Sequence, residues 1–249
     1  MTPQPIEPPG PPAAGASGRV VDLSHPVVDG MTTYPGLPGP RMRPHLTREQ
    51  SRPHYAAGTE FQIDEITMVG NTGTYLDSPF HRYPDGTDLA GLPLERLVDL
   101  PAVVLHGAAA AGRGIGADRL AGMPVTGRAV LLHTGWDSRW GTAEYGDPAP
   151  FVTAAAARWL VDNGAVLVGI DSVNIDDVAD GERPAHSILL AAGIPVVEHL
   201  TGLDRLPASG ARLHAAPPPV TGFGTFPVRA YAIVPADPSA DHQAPGSPS

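Results

Sequence analysis

The chain has 249 residues, a formal net charge of −10 and no cysteine. The lack of cysteine excludes disulfides, thiol nucleophiles and cysteine-based zinc sites, and fits a reducing, cytoplasmic setting. The acidic balance, uninterrupted by any Lys/Arg cluster, would repel a phosphate backbone and argues against nucleic acid as a partner, while no stretch reaches the ~20 apolar residues of a membrane span.

Residues 1–18 are rich in Pro, Ala and Gly and nearly devoid of large apolar side chains. They cannot bury enough surface to offset their ordering entropy and are predicted to be a disordered tail, with no basic or apolar run that would read as a secretory signal. Residues 236–249 are predicted to be a second such tail. Between them, 19–235 has a suitable size for one α/β domain.

Arg19–Leu23 is the first predicted buried strand. Ala102–His106, Ala129–His133, Ala165–Ile170 and Pro195–Glu198 are four more, with Val228–Val234 as a candidate sixth; each is short, rich in Val, Leu and Ile, and bounded by Gly or Pro. Glu60–Val69 alternates apolar and polar residues, with a slip of parity at Glu65, and predicts a bulged, half-buried antiparallel strand. Leu94–Val98 predicts a short helix. Thr153–Asn163 predicts a longer one, with Thr153 as N-cap and Gly164 as terminator. Pro184–Ala192 predicts a third, opened by Pro184 and ended by Gly193. Strands and helices interleave without strict alternation, so the expected fold is α/β with a mixed central sheet.

Several signals carry no chemistry. There is no phosphate-loop motif, no Gly-x-Ser-x-Gly elbow and no His-Glu-x-x-His helix. Gly112, Gly114 and Gly116 follow a strand, but the third glycine comes one residue early for a dinucleotide turn. Trp136, Trp140 and Trp159 read as packing residues. His25, His45, His54, His106, His133 and His214 have no evident partners in the sequence and read as surface or satisfied core histidines.

Two segments do carry chemistry. Asn71-Thr72-Gly73-Thr74-Tyr75-Leu76-Asp77-Ser78-Pro79-Phe80-His81 is predicted to be a shaped loop, because Gly73 and Pro79 oppose regular structure. Asn71, Tyr75, Asp77 and His81 would spread over ~33 Å in an extended chain, so they converge only if the chain bends at Gly73 and Pro79. The second segment runs from His186 to Glu198. A helix from His186 to Ala192 travels ~9 Å, and a strand from Ile194 to Glu198 returns ~13 Å. Glu198 can therefore lie near His186, and a carboxylate ending a buried strand requires a partner.

At these residues the sequence resembles the cyclase / arylformamidase family, which includes bacterial kynurenine formamidase and isatin hydrolase. The family motif His-x-Gly-Thr-His-x-Asp-x-Pro-x-His corresponds to Asn71 through His81 here. Further similarity lies in Asp22-Leu23-Ser24-His25-Pro26 with Tyr34-Pro35-Gly36, in Leu131-Leu132-His133-Thr134-Gly135-Trp136, in Gly169-Ile170-Asp171-Ser172, in His186-Ser187-Ile188-Leu189-Leu190 and in Glu198-His199-Leu200. The resemblance implies a swivelling β/β/α fold, a homodimer or homotetramer with active sites near a subunit boundary, a small-molecule substrate, and hydrolysis of amide or formamide bonds with a bound divalent metal. It also marks a departure: Asn71 and Tyr75 stand where the motif has histidines. Of two family metal sites, the first survives only as Asp77, and the second survives whole as Asp77, His81, His186 and Glu198.

Three readings of the site follow. In the first, a single Zn or Mn ion on Asp77, His81, His186 and Glu198 activates water against an amide or cyclic amide C–N bond, with Tyr75 donating to the oxyanion. In the second, the enzyme is a metal-free cyclase or dehydratase of polyketide or aromatic metabolism. His81 and His186 are its acid and base, oriented by Asp77 or Glu198, and Asn71 and Tyr75 bind a carbonyl oxygen. In the third, the chain is a non-catalytic relative that binds a ligand.

Overall fold

The computed structural model describes residues 18–146 and 148–236. The two predicted tails, Gly18 and Ala236 apart, lie outside the described residues.

Among the described residues there are thirteen strands: β1 (Arg19–Asp22), β2 (Arg41–Leu46), β3 (Ile63–Thr67), β4 (Tyr75–Asp77), β5 (Leu100–His106), β6 (Gly114–Ile115), β7 (Ala129–His133), β8 (Phe151–Val152), β9 (Leu167–Ile170), β10 (Val196–Glu198), β11 (Ser209–His214), β12 (Thr225–Pro227) and β13 (Tyr231–Val234). Nine of them form one sheet in the order β1-β13-β11-β5-β7-β9-β10-β4-β12. The centre, β5-β7-β9-β10, is parallel, and every pairing on either side of it is antiparallel. A bridge between Ser24, just past β1, and Leu200, just past β10, ties an edge of the sheet back to its middle, so the sheet curls on itself.

The predicted apolar runs form the parallel centre because both its faces are covered. Ala102, Val104, Ala129, Leu131, Leu167 and Val197 point into one core, while Val103, Val130, Leu132, Val168, Ile170 and Val196 point into a second. The α-helices among the described residues are α1 (Arg48–Ser51), α2 (Ala117–Leu120), α3 (Ala154–Asp162) and α4 (Pro184–Ala191). The last two supply Ala156, Ala157, Leu160, Ala185, Leu189 and Leu190 to the second core. Thr153 caps α3 through its hydroxyl, as predicted, and Gly193 leaves α4 at φ 72°. Leu94–Arg96 forms only a single 3-10 turn.

Two expectations need correction. Residues 71–81 are not all loop: after a turn at Gly73 (φ 66°), Tyr75–Asp77 enters the main sheet as β4 between β10 and β12. A three-residue strand is too short to show periodicity. Residues 60–69 hold the expected antiparallel strand, but it is not half-buried. Their centre, β3, pairs only with β2, as a two-stranded ribbon whose residues are mostly exposed. The alternation is real, but among the described residues nothing covers Ile63 and Ile66. The register slip sits on the partner strand, between Pro44 and Leu46. β2, β11 and β12 give no apolar run to read, and Pro44 and Pro227 sit within two of them.

Gly224 shows how closely β12 grips the site. Its carbonyl accepts from the Ser78 amide, and a Cβ there would fall on the backbone nitrogen and Cα of His81. Gly224→Ala is therefore expected to cost ~1–3 kcal/mol, as overpacking does. At ~2–4 °C per kcal/mol for a chain of this size, thermal melting should resolve it. A variant that melts with the wild type would show that this contact does not constrain the turn.

Candidate metal centre

Strand register builds the site. Asp77 lies directly opposite Thr225 of β12, and Tyr75 directly opposite Glu198 of β10. Facing residues in an antiparallel pair bring their side chains within contact distance. Accordingly, the Thr225 hydroxyl donates to Asp77 Oδ1, and Tyr75 Oη donates to Glu198 Oε2 at 2.6 Å. Past β4, Pro79 opens a 3-10 turn through His81, which sets His81 Nδ1 3.7 Å from Asp77 Oδ1. The predicted bends at Gly73 and Pro79 are both present.

From the other side, α4 presents His186, with Nε2 3.5 Å from Asp77 Oδ2 and 3.5 Å from Glu198 Oε1. Helix out and strand back close the distance as expected. Asp77, His81 and His186 each offer a ligand atom, all within 4.8 Å of one another. Glu198 sits outside this group of three, and both its oxygens are engaged: Oε2 by Tyr75 and Oε1 by the Ile175 amide at 2.6 Å. Asn71, Tyr75, His81, His186 and Glu198 all line one cavity of about 410 Å³.

Both imidazoles are fixed in the same sense. His186 Nδ1 donates to Asp176 Oδ2 at 2.7 Å, and Asp176 is itself held by the amides of Ala185 and His186. His81 Nδ1 lies 2.7 Å from Thr225 Oγ1, whose proton goes to Asp77, so His81 is the donor in that bond. Each ring is thereby left to present Nε2. Asp77 Oδ2 and His186 Nε2 are buried and have no hydrogen-bond partner among the described residues. Two such atoms 3.5 Å apart are costly unless a proton, held as an imidazolium–carboxylate pair, or a cation that displaces it joins them. The residues present therefore fit a divalent ion, with a carboxylate and two imidazoles as donors.

The electrostatics agree. Burial alone would depress the His186 pKa. Glu198, Asp176 and Asp77 outweigh it and raise the pKa to about 10. Asp77 is held below the usual carboxylate range: burial opposes this, and His186, His81 and Thr225 prevail. Glu198 moves the other way, raised by burial and by the Asp77 charge against the pull of His186. Burial, then Glu198 and Asp77, push Tyr75 well above its ordinary value, so it stays a phenol.

The sequence reading missed four contributors. Asp176 was hidden in an acidic run, and Thr225, far along the chain, gave no signal. His199 and Tyr145 form a buried chain behind the site: Tyr145 Oη lies 2.8 Å from His199 Nδ1, and His199 Nε2 lies 3.3 Å from Tyr75 Oη. Burial drives the His199 pKa down to about 3, so its ring is neutral. Four of the six histidines without evident partners in the sequence are partnered by neighbours. His25 stacks on Trp140, His106 Nδ1 meets His133 Nδ1 at 3.0 Å, and His214 stacks on Tyr231, while the exposed His45 and His54 fit the expectation.

Below pH 10 the His186 imidazole carries a proton that a cation must displace. Metal affinity is therefore expected to climb with pH from 6 to 9, by ~10-fold per unit where one proton is released. Asp176→Asn should weaken binding by ~10–100-fold through loss of ring orientation. Chelator competition across that range measures both; a pH-independent affinity would remove His186 from the ligand set.

Comparison with known proteins bears on this geometry. Residues 21–177 match the Cyclase family, described as "Putative cyclase". A kynurenine formamidase from Bacillus cytotoxicus is 30% identical over 211 residues, covering 84% of this chain and 95% of its own. An isatin hydrolase solved with the product analogue thioisatinate superposes with a TM-score of 0.75 at 25% identity, covering 88% of this chain and 94% of that one. A structure described as a potential metal-dependent hydrolase with cyclase activity gives 0.72 at 26% identity, with 88% and 99% covered. The mixed α/β architecture around the Asp77–His81–His186 cluster is thus that of these hydrolases, and the chain belongs to the cyclase family.

Proposed function

We propose that this protein is a one-metal hydrolase that cleaves the amide or cyclic amide C–N bond of a small aromatic molecule. The observation that carries the reading is the pair of buried, unpartnered atoms Asp77 Oδ2 and His186 Nε2, with His81 beside them. The similarity to a kynurenine formamidase and an isatin hydrolase supports the substrate class.

A divalent ion such as Zn or Mn on Asp77, His81 and His186 supplies polarisation of the carbonyl and a more acidic water. Glu198 serves as the proton carrier. It lines the cavity, each of its oxygens keeps a free lone pair beside its one hydrogen bond, and its raised pKa suits exchange near neutrality. It takes the proton that water loses on adding to the carbonyl carbon, and returns it to the nitrogen as the C–N bond breaks. The products are a carboxylic acid and an amine. Tyr75 cannot donate to the oxyanion while its proton is committed to Glu198; it positions that carboxylate, and the Asn71 amide, itself hydrogen-bonded to Tyr75, lines the cavity beside it.

Wild-type protein is expected to hydrolyse formanilide or isatin, to lose activity on chelation and to regain it with Zn or Mn. Glu198→Gln should lower kcat by ~10²–10⁴ while metal content is retained. Turnover that survives exhaustive chelation would favour the metal-free acid–base reading, and no turnover of any amide would favour a ligand-binding relative.

We further propose a cytoplasmic homodimer or homotetramer assembled through the β2–β3 ribbon. Met42, Ile63 and Ile66 are 40%, 51% and 47% exposed there, and a two-stranded ribbon alone is marginal in water. Light scattering should show an oligomer that Ile66→Glu dissociates; a monomeric wild type would overturn this.

A further inference from the structure

His106 and His133 take no part in the centre described above. They end two adjacent parallel strands, β5 and β7, at the same register position, where neighbouring strands run ~4.8 Å apart. Alternation along each strand places them on the face of the first core, with Val104 and Leu131. Glu198 instead follows the parity of Val196, on the face of the second core. Strand β9 also stands between β7 and β10, a separation of two strand spacings or ~10 Å. The two histidines are therefore a separate cluster on the opposite face of the sheet.

Their hydrogen bonds fix the protons. A carbonyl oxygen only accepts, so His106 Nε2 donates to the Leu206 carbonyl, at 3.1 Å. In the neutral ring His106 Nδ1 is then bare. His133 Nδ1 lies 3.0 Å from it and is the donor of that bond. His133 Nε2 is left bare, without a protein partner among the described residues, and is not sealed from solvent. Moving the His133 proton from Nδ1 to Nε2 would leave two bare Nδ1 atoms side by side, with no net loss of a proton. Two apposed imidazole nitrogens in that state are the donor set of a chelate.

The spacing favours one class of ion. Two Nδ1 atoms 3.0 Å apart, each bonded at ~2.0–2.1 Å, subtend an angle of about 95° at the ion, whereas tetrahedral bonds would hold them ~3.3–3.4 Å apart. An angle near 90° joins neighbouring positions of a tetragonal or octahedral ion, the preference of Cu²⁺ and Ni²⁺, which also bind imidazole more tightly than the earlier divalent ions. Aiming both rings at a common point takes rotation about the imidazole torsion, which is soft. The Leu206 carbonyl holds the His106 ring by its remote nitrogen, as the outer partners of metal-bound imidazoles do.

We infer that His106 and His133 form a second metal site, a two-imidazole chelate for Cu²⁺ or Ni²⁺ at the carboxyl ends of β5 and β7. It stands independently of the hydrolase reading, since it shares no residue with the Asp77–His81–His186 cluster.

The test titrates tag-free, chelator-stripped protein with Cu²⁺, followed by calorimetry and electron paramagnetic resonance. Wild type is expected to show a copper ion with two imidazole nitrogens that His186→Gln retains. His133→Gln and His106→Gln should each weaken that ion by at least ~10-fold, since loss of an outer partner alone costs as much. Copper at a hundredfold excess over its Kd should raise the melting temperature by ~5–10 °C more in wild type than in either variant. Metal-free melting within about 2 °C of wild type would exclude misfolding. The wild-type and His186→Gln titrations decide the matter even if the other two variants fail to fold. Loss of all copper binding in His186→Gln, or copper affinity unchanged in both His133→Gln and His106→Gln, would overturn the inference. Wild-type binding no tighter than millimolar at this pair would mark an adventitious ion only, and Zn²⁺ held more tightly there than Cu²⁺ and Ni²⁺ would refute the assigned geometry.

Discussion

Asp77 is a carboxylate with no exposed surface, and the site is organised around making that tolerable. A buried charge left without partners costs several kcal/mol, far more than most single contacts return. Here one oxygen receives the Thr225 hydroxyl, and two imidazoles lie within 3.7 Å. The other oxygen is left open toward His186. A protein that needed only to fold would place an apolar residue here. Keeping the charge makes sense where an external cation completes the shell.

The means of placing Asp77 are structural commonplaces put to one end. β4 is three residues long, yet both its neighbours are in the main sheet, so its register cannot slip without turning Leu76 out of the core. That one constraint sets Asp77 against Thr225 and Tyr75 against Glu198 at once. α4 is positioned separately, by burial of Ala185, Leu189 and Leu190 in the second core. Asp176 then pins both the first turn of α4 and the His186 ring. The two halves of the cluster thus rest on different core faces, and each ring is held through its Nδ1.

What was legible in the sequence follows from this construction. The parallel centre of the sheet announces itself, because strands buried on both faces must be apolar at nearly every position, as in residues 129–132 of β7. Asp77, His81, His186 and Glu198 stood out because glycine, proline and charge interrupt otherwise regular segments. Thr225 and Tyr145 did not, since a threonine beside a strand proline and a tyrosine in a short turn look like ordinary surface chemistry. Their roles arise from pairings with distant residues. The ribbon of β2 and β3 was misread for a related reason. Alternation reports that a face is apolar, without saying which molecule covers it.

The departure from the family motif now has a physical shape. With Asn71 and Tyr75 at two histidine positions, the volume on that side of Asp77 holds a phenol rather than an imidazole. The phenol is directed to Glu198 and backed by neutral His199, which in turn accepts from Tyr145. Protons along this chain all point one way, from Tyr145 through His199 and Tyr75 to Glu198. The same supports suit a group that must hold a proton briefly and release it. On the proposed reading, Glu198 stands on the proton's side of the reaction, and Asp77, His81 and His186 are the donors for one ion.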